Sequence, residues 1–126
     1  MIENQAIKTS KILIVDDDNI MRTVLRSIFE KEGFSNIEEA VNGQDGWEKT
    51  LTFHPDIVFL DIKMPIMNGL EYCIKARENP AFSKMVILVE TGLIDLEEKK
   101  NIFAVGATDY VGKPIDPHEI LARSLV

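Results

Sequence analysis

The feature that most constrains this chain is a run of four apolar residues, 57–60, that ends directly in the carboxylate of Asp61. An apolar run of this length, followed by a loop that contains proline and glycine, is typical of a strand buried on both faces of a parallel sheet. Such a strand presents one acid at its carboxyl end. Asp61 is therefore the first residue that an account of this chain has to explain.

Similar short apolar runs alternate with segments of helical period along the chain. Strands are predicted over residues 11–15, 36–41, 57–61, 85–89 and 107–112, and helices over residues 19–32, 44–53, 70–77, 95–105 and 117–126. Five alternations favour one α/β domain with a parallel sheet covered on both faces by right-handed crossovers. Glu38 and Glu39 inside the second run favour an edge position for that strand.

Each helical segment carries an apolar face that we expect to pack on the sheet. Asp18 is placed to cap the first helix, and Gly33 and Gly106 are placed to end the first and fourth. The expected inward residues are Ile20, Val24, Leu25, Ile28 and Phe29 in the first helix, Trp47, Leu51 and Phe53 in the second, and Leu70, Cys73 and Ile74 in the third.

Length and composition are those of one globular domain. The chain has 126 residues, of which 45% are hydrophobic and 28% charged, and no window approaches the roughly 18 apolar residues of a membrane span. Residues 1–10 contain an early acid and no apolar segment, which indicates a short tail rather than a secretory signal. We expect the folded domain to occupy residues 11–126, and the absence of a stop signal after its last helix leaves open a longer parent protein.

Cysteine content and charge argue against a disulfide, a zinc site and a nucleic-acid-binding surface. Cys73 is the only cysteine and there are two histidines, so neither an internal disulfide nor a Cys/His zinc site is available. A reducing, cytoplasmic compartment fits best.

A formal charge of −7 without a Lys/Arg run argues against direct binding of nucleic acid. The acidity either serves solubility alone or includes acids that converge on a cation.

Polar residues follow four of the five predicted strands. Asp16 and Asp17 follow the first strand, Asp61 ends the third, Thr91 comes just after the fourth, and Lys113 follows the fifth. In parallel α/β sheets, ligands bind beyond the carboxyl ends of the strands, where the strand order reverses. We therefore expect these five residues to meet at one pole of the sheet.

Three carboxylates at one pole repel one another, by about 4 kcal/mol per close pair at an effective dielectric near 20. A site of oxygen ligands at a loop junction suits Mg²⁺, with Asp17 and Asp61 as direct ligands, Asp16 acting through water and one loop carbonyl. Thr91 and Lys113 would then bind a tetrahedral oxyanion. This set of groups favours phosphoryl transfer, with Asp61 as a carboxylate nucleophile.

Each of these residues also has a simpler explanation when it is considered alone. The acids at 16–18 form an ordinary acidic turn before a helix, Thr91 suits a helix cap, and Lys113 suits a solvated surface. Tyr110 is by default a core or rim aromatic. The argument for a site depends on their occurrence together.

Four stretches of sequence carry a more specific pattern. They are residues 12–17, which run Ile-Leu-Ile-Val-Asp-Asp, residues 60–69 around Asp61, Thr91-Gly92, and residues 106–114, which end in Lys113-Pro114. In this order and at these spacings, they resemble the receiver domain of bacterial two-component response regulators, the CheY-like family. The likeness extends from Lys11 to Leu125.

The resemblance implies a phosphorylation site and its metal. Asp61 would accept a phosphoryl group from a phosphohistidine on a sensor histidine kinase or a histidine phosphotransfer protein. Mg²⁺ would be bound by Asp16, Asp17, Asp61 and the backbone carbonyl of Lys63. No other cofactor is implied.

The resemblance also implies a switch. Thr91 would hydrogen-bond the phosphoryl group, Lys113 would pair with it, and the Lys113-Pro114 peptide bond would be cis, which only proline makes cheap. Tyr110 would move inward as Thr91 shifts, changing the surface of helix 4, strand 5 and helix 5. A phosphoryl group adds charge and strong acceptors, enough to bias a two-state loop.

The implied fold is flavodoxin-like, with strand order 2-1-3-4-5 and five helices. The implied role is a signalling domain that catalyses only its own phosphorylation and dephosphorylation. Its partners would be the kinase or phosphotransfer protein and an output domain or effector, and a phosphorylation-dependent dimer is left open. Neither membrane nor nucleic acid would bind to this domain.

Two residues depart from the family pattern. Lys63 occupies a position that needs only a backbone carbonyl, but its ammonium could alter metal affinity or dephosphorylation. Glu90 stands where an apolar strand residue is commoner, and a shift of one residue would place it at the hydroxyl position. We assign that position to Thr91 because its spacing to Lys113 then needs no gap.

Two alternative functions follow from the same residues. The first is an interaction module that keeps the fold but has lost phosphorylation, which Glu90 and Lys63 would motivate. The second is a magnesium phosphatase of the haloacid dehalogenase type. That type requires a D-x-D motif with Thr or Val two residues further on, whereas Asp16 and Asp18 are followed by Ile20, and no cap domain is present in the sequence.

Overall fold

The protein is described by a computed structural model that covers residues 9–64, 66–92, 96–112 and 115–124. Within these residues five strands alternate with five α-helices. The strands are β1 (Ile12–Val15), β2 (Ile37–Ala40), β3 (Ile57–Asp61), β4 (Val86–Thr91) and β5 (Asp109–Gly112). The helices are α1 (Asn19–Lys31), α2 (Gly43–Phe53), α3 (Gly69–Arg77), α4 (Leu96–Ala104) and α5 (Pro117–Ser124), with a 3₁₀ turn at Pro80–Phe82.

The strands form one parallel sheet in the order β2-β1-β3-β4-β5. The predicted fold class and strand order are confirmed, and β2 lies at an edge as its two glutamates indicated. The order reverses at β1, from which the chain runs first to one side and then to the other. The crevice at the carboxyl ends of β1 and β3 is therefore the expected ligand position.

The core lies on both faces of the sheet because successive strand residues point to opposite sides. Leu13, Val58 and Ile87 face one cluster, which includes Trp47, Tyr72 and Cys73 from α2 and α3. Ile14, Phe59 and Leu88 face the other, which includes Leu25 and Phe29 from α1 and Ile120 from α5. The continuous apolar runs are thus explained by burial of the strands on both sides.

Several helix faces differ from the prediction. Ile20 is 74% exposed, and Val24, Leu51 and Ile74 are each more than 40% exposed. In α1 the buried positions are 22, 25 and 29, a stripe that is rotated away from Ile20 and Val24. The inward position of α2 next to Leu51 is taken by Thr50, which is fully buried.

The hydroxyl groups of Thr50 and Tyr72 share a hydrogen bond of 2.6 Å, which offsets the cost of burying both of them. Burial raises the pKa of Tyr72 above its usual value, and burial raises the pKa of Cys73 to about 12. Cys73 is a buried free thiol, as predicted. Neither side chain is therefore ionised at neutral pH, and both act as packing groups on this face of the sheet.

The predicted helix ends are supported by local contacts. The Asp18 carboxylate accepts a hydrogen bond from the backbone N–H of Ile20 at 2.9 Å and caps α1. Gly33 and Gly106 have φ values of 97° and 104°, which glycine adopts without a Cβ clash, and they follow α1 and α4. Among the described helices, none is long and apolar enough to cross a membrane.

Candidate functional site

Three carboxylates meet at the carboxyl ends of β1 and β3. Oxygen atoms of Asp16, Asp17 and Asp61 all lie within 4.8 Å of one another. Asp16 is 2% exposed and Asp61 6% exposed, whereas Asp17 faces solvent. The structure thus brings together the three acids that the sequence placed at one pole, with two of them buried and one open to the exterior.

Asp61 occupies this position because β3 is the central strand and Asp61 is its last residue. One carboxylate oxygen of Asp61 accepts a hydrogen bond from the backbone N–H of Lys63 at 3.3 Å. The backbone behind it is packed closely, since a Cβ on Gly69 would lie 2.7 Å from the Asp61 carbonyl oxygen. Gly69 therefore allows α3 to begin directly against the end of β3.

The loop between β1 and α1 holds the other two acids. A carboxylate oxygen of Asp16 accepts the backbone N–H of Asp18 at 2.9 Å, and Asp18 in turn caps α1. The acidic turn therefore does cap a helix, as its simpler explanation required. Capping by Asp18 leaves Asp16 and Asp17 directed at the crevice, so the two explanations are compatible.

Arg22 holds the backbone of this loop in place, a role that we did not predict from the sequence. Its guanidinium donates to the Asp16 carbonyl oxygen at 2.7 Å, to Asn19 at 2.9 Å and to Glu39 at 3.3 Å. Arg26 holds the other oxygen of Glu39 at 2.6 Å. The sequence did contain an indication of this role. Arg22 lies three residues before Leu25 and seven before Phe29, which places it on the buried face of α1.

We expect Arg22→Gln to lower the free energy of unfolding by about 2 kcal/mol, because a buried carbonyl loses a charged donor. Arg26→Gln is the comparison, since Arg26 shares Glu39 and donates to the partly buried carbonyl oxygen of Ile37 at 3.0 Å instead of the buried one of Asp16, and we expect a smaller loss of about 1 kcal/mol. Urea denaturation measures both. A loss in Arg22→Gln no larger than that in Arg26→Gln would show that the buried bond to the Asp16 carbonyl stabilises the protein no more than the partly buried bond to the Ile37 carbonyl.

A second loop, between β3 and α3, follows Asp61 and contacts the start of α2. The backbone N–H of Gly43 donates to the carbonyl oxygen of Met67 at 3.1 Å, which joins this loop to the start of α2. Ile66 has a φ of 71°, a rare conformation for a β-branched residue, and is 78% exposed. Backbone of this kind is held by its surroundings and occurs often at functional sites.

The end of β4 differs from the prediction, because Glu90 and Thr91 belong to the strand rather than following it. Thr91 is the last strand residue and is 3% exposed, at the same pole as the three acids. Glu90 is paired with Asp61 across β3 and β4 and is fully buried. Lys113 and Pro114 lie outside the described residues, and so does the predicted cis peptide bond.

Tyr110 lies in β5, beside α4. Its ring is 6.0 Å from the ring of Phe103, and the Lys99 ammonium lies 5.4 Å from its centroid. Tyr110 is partly buried and Phe103 is 46% exposed. The predicted switch residue is thus at the surface that α4 and β5 form, with one cationic and one aromatic neighbour.

The carboxylate cluster fits a hard divalent cation. Mg²⁺ takes oxygen ligands, usually one or two carboxylates, and keeps several waters. Asp16, Asp17 and Asp61 supply converging oxygens, the exposed Asp17 side leaves room for water, and the Lys63 backbone follows Asp61 by two residues. Among the described His, Cys, Asp and Glu residues, no other group of three converges in this way.

Comparison with known proteins agrees with this geometry. A family model of the response regulator receiver domain matches residues 12–124. The transcriptional regulatory protein ResD of Bacillus subtilis is 36% identical over 116 residues, which cover 90% of this chain and 46% of ResD. The response regulator ArlR of Staphylococcus aureus is 35% identical over 114 residues, 90% of this chain and 50% of ArlR. The chain spans about half the length of these relatives.

The solved structures are similar over nearly the whole chain. The chemotaxis protein CheY4 of Vibrio cholerae superposes with a TM-score of 0.85 at 29% identity, covering 90% of this chain and 94% of CheY4. Family model, relatives and fold agree on the same assignment. The chain belongs to the response regulator receiver domain family.

Proposed function

We propose that this domain is a phosphorylatable receiver in which Asp61 accepts a phosphoryl group from a phosphohistidine in the presence of Mg²⁺. The observation that carries the proposal is the position of Asp61, a buried acid at the end of the central strand with oxygens of Asp16 and Asp17 within 4.8 Å. A carboxylate so placed can be both a metal ligand and a nucleophile. Membership of the receiver family supports the same role.

In the transfer step, a carboxylate oxygen of Asp61 attacks the phosphorus of the phosphohistidine in line. The new O–P bond forms as the P–N bond breaks, and the electron pair of that bond goes to the imidazole nitrogen, which takes a proton from water. The Lys63 N–H, at 3.3 Å from the Asp61 carboxylate, helps to orient it. Asp61 therefore becomes an acyl phosphate.

Asp16, Asp17, Asp61 and the Lys63 carbonyl would hold Mg²⁺. When bound, the cation offsets the charge of the three acids and of the transferring phosphoryl group. Arg22 keeps the Asp16 backbone in place through its bond to the carbonyl oxygen. Positioning and neutralisation of charge are the main contributions that a protein makes to this reaction.

Phosphorylation would act on the rest of the domain through Thr91 and Tyr110. In this proposal the Thr91 hydroxyl binds the phosphoryl group, Lys113 supplies its counter-charge, and Tyr110 follows the movement of Thr91. The surface formed by α4, β5 and α5 would then bind an output domain or effector differently. The donor would be a sensor histidine kinase or a histidine phosphotransfer protein, as expected for relatives of ResD and ArlR.

Intact-mass measurement tests the proposal. Incubation with Mg²⁺ and acetyl phosphate should add one phosphoryl group per chain, and EDTA should prevent the addition because the charge in the site is then not offset. The addition should reverse on dilution into buffer without donor. Absence of any mass gain at saturating Mg²⁺ would refute the proposal and favour an interaction module that has lost phosphorylation.

The same samples separate a receiver from a phosphatase. A receiver takes up one phosphoryl group and hydrolyses it slowly, whereas a phosphatase of the haloacid dehalogenase type turns over a phosphate ester many times. We expect no multiple turnover of p-nitrophenyl phosphate. Turnover that Asp16→Asn abolishes and Asp61→Asn does not would instead identify Asp16 as the nucleophile.

A further inference from the structure

The guanidinium of Arg22 has a fixed orientation beside the carboxylate cluster. Arg22 is 9% exposed, and each of its three guanidinium nitrogens donates to a different residue. Nη1 donates to the Asp16 carbonyl oxygen at 2.7 Å. Nη2 donates to the Asn19 side chain at 2.9 Å and Nε to the Glu39 carboxylate at 3.3 Å. The plane of the guanidinium is therefore set by the β1–α1 loop, by α1 and by β2.

The carbonyl that Arg22 binds belongs to the peptide group that joins Asp16 to Asp17. A peptide group is planar, so fixing its carbonyl oxygen also fixes the direction in which the chain continues to Asp17. On the other side of the residue, the N–H of Asp16 donates to the Ala40 carbonyl oxygen at 3.1 Å. Both sides of the Asp16 backbone are thus held, which limits where the carboxylates of Asp16 and Asp17 can point.

Glu39 keeps the guanidinium in this orientation. It lies in the edge strand β2, and its second carboxylate oxygen accepts from Nε of Arg26 at 2.6 Å. Its backbone carbonyl oxygen accepts from the Lys49 ammonium of α2, also at 2.6 Å. Glu39 is therefore anchored to two helices, and its carboxylate offsets part of the positive charge of Arg22.

The charge of Arg22 and its positioning of the backbone would have opposite effects on a bound cation. A guanidinium repels a divalent cation, so removal of its charge alone would tighten the binding of Mg²⁺. Groups that orient metal ligands act in the opposite sense, since their loss typically weakens metal binding by about 10- to 100-fold. The sign of the change in Mg²⁺ affinity on substitution therefore distinguishes the two effects.

We propose that Arg22 is a positioning residue for divalent-cation binding, because it fixes the Asp16–Asp17 peptide group and thereby directs both carboxylates toward that of Asp61. Arg22 acts through the backbone and contacts neither the cation nor the phosphoryl group. Its effect on position outweighs the repulsion of its charge, which Glu39 partly offsets. This inference rests on the proposed function for the presence of a cation at the three acids.

The main test is the Mg²⁺ dissociation constant of Arg22→Gln, measured by titration calorimetry at a temperature where circular dichroism shows that the variant is folded. We expect this constant to rise about tenfold relative to the wild type. An unchanged or lower constant would overturn the inference. Absence of Mg²⁺ binding by the wild type would instead refute the proposed function together with this inference, so the two failures are distinguishable.

Two control variants separate positioning from charge and from stability. Arg26→Gln removes the same charge from the same helix, but Arg26 donates to the carbonyl oxygen of Ile37 rather than to that of Asp16. Phe29→Leu removes core contacts at the far end of α1 and lowers stability. Both variants should keep the Mg²⁺ dissociation constant within about twofold of the wild type. A rise in either variant as large as that in Arg22→Gln would overturn the inference.

A second measurement needs no metal. The backbone N–H of Asp18 donates to the Asp16 carboxylate at 2.9 Å, so its hydrogen exchange in the metal-free protein reports on the order of this loop. We expect exchange about tenfold faster in Arg22→Gln than in the wild type, because local opening no longer breaks the bond to the Asp16 carbonyl. Arg26→Gln should exchange like the wild type. Equal rates in the wild type and Arg22→Gln would overturn the inference.

Discussion

Asp61→Asn is expected to abolish phosphoryl uptake from acetyl phosphate. An amide has no carboxylate oxygen to attack phosphorus, and the substitution also removes one of the three acids that converge within 4.8 Å. We expect no mass gain in the variant under conditions that fully phosphorylate the wild type. Its stability should not fall, because one charge is removed from a crowded set of like charges.

Asp56→Asn is the matched control for this prediction. Asp56 precedes the same strand, at the opposite end, where its carboxylate accepts the backbone N–H of Lys11 at 2.8 Å. This variant should be phosphorylated like the wild type. Phosphorylation of Asp61→Asn at the wild-type level would place the nucleophile elsewhere, and Asp17 would then be the next candidate.

Gly43→Ala is expected to destabilise the protein by about 3 kcal/mol, through overpacking and loss of a hydrogen bond. A Cβ at Gly43 would lie 2.0 Å from the Met67 carbonyl oxygen and 2.7 Å from its carbon, which are both backbone atoms. The two loops would have to separate and break the 3.1 Å bond between them. Thermal unfolding should show a Tm lower by about 10 °C.

The sign of this effect makes the prediction specific. Gly43 is the first residue of α2, and helix propensity alone would make alanine stabilising by up to about 1 kcal/mol. Gly112→Ala is the control, because a Cβ there meets no atom of the described residues within 4 Å. It should shift stability by less than about 0.5 kcal/mol. Stabilisation by Gly43→Ala would show that the loops do not approach as closely as described.

The sheet could be predicted from sequence because its strands are buried on both faces. Continuous apolar runs such as Ile12–Val15 have no other simple explanation once helical segments alternate with them. The position of the site followed from the same reasoning, since the carboxyl ends of parallel strands all lie at one edge of the sheet. The convergence of Asp16, Asp17 and Asp61 needed no further information.

Helix orientation was predicted less well because periodicity does not distinguish between neighbouring stripes. In α1 the sheet is met by Leu25 and Phe29 together with Arg22, so the buried stripe contains a charge that apolar periodicity excludes. Ile20, assigned to the core by its type, is exposed instead. Which stripe of the helix faces the sheet depends on tertiary contacts, such as the hydrogen bond from Arg22 to the Asp16 carbonyl oxygen, that the sequence pattern does not contain.

The end of β4 was also predicted too early, at Val89, whereas the strand continues to Thr91. Because Glu90 is polar, we assigned it to the loop after the strand. It pairs instead with Asp61 within the sheet. Glu90 lies one residue before the end of β4 and is fully buried, so its polarity did not indicate on which side of the strand boundary it lies. Its pairing within the sheet places this departure from the family pattern next to Asp61, the proposed nucleophile.

The central claim is that Asp61 is the residue that carries the phosphoryl group. Borohydride reduces an acyl phosphate to an alcohol and leaves free carboxylates unchanged, so it converts a phosphorylated aspartate to homoserine. After phosphorylation by acetyl phosphate and Mg²⁺, reduction and peptide mapping should find homoserine at position 61, with Asp16 and Asp17 intact. Homoserine at 16 or 17 with an intact Asp61 would contradict the account.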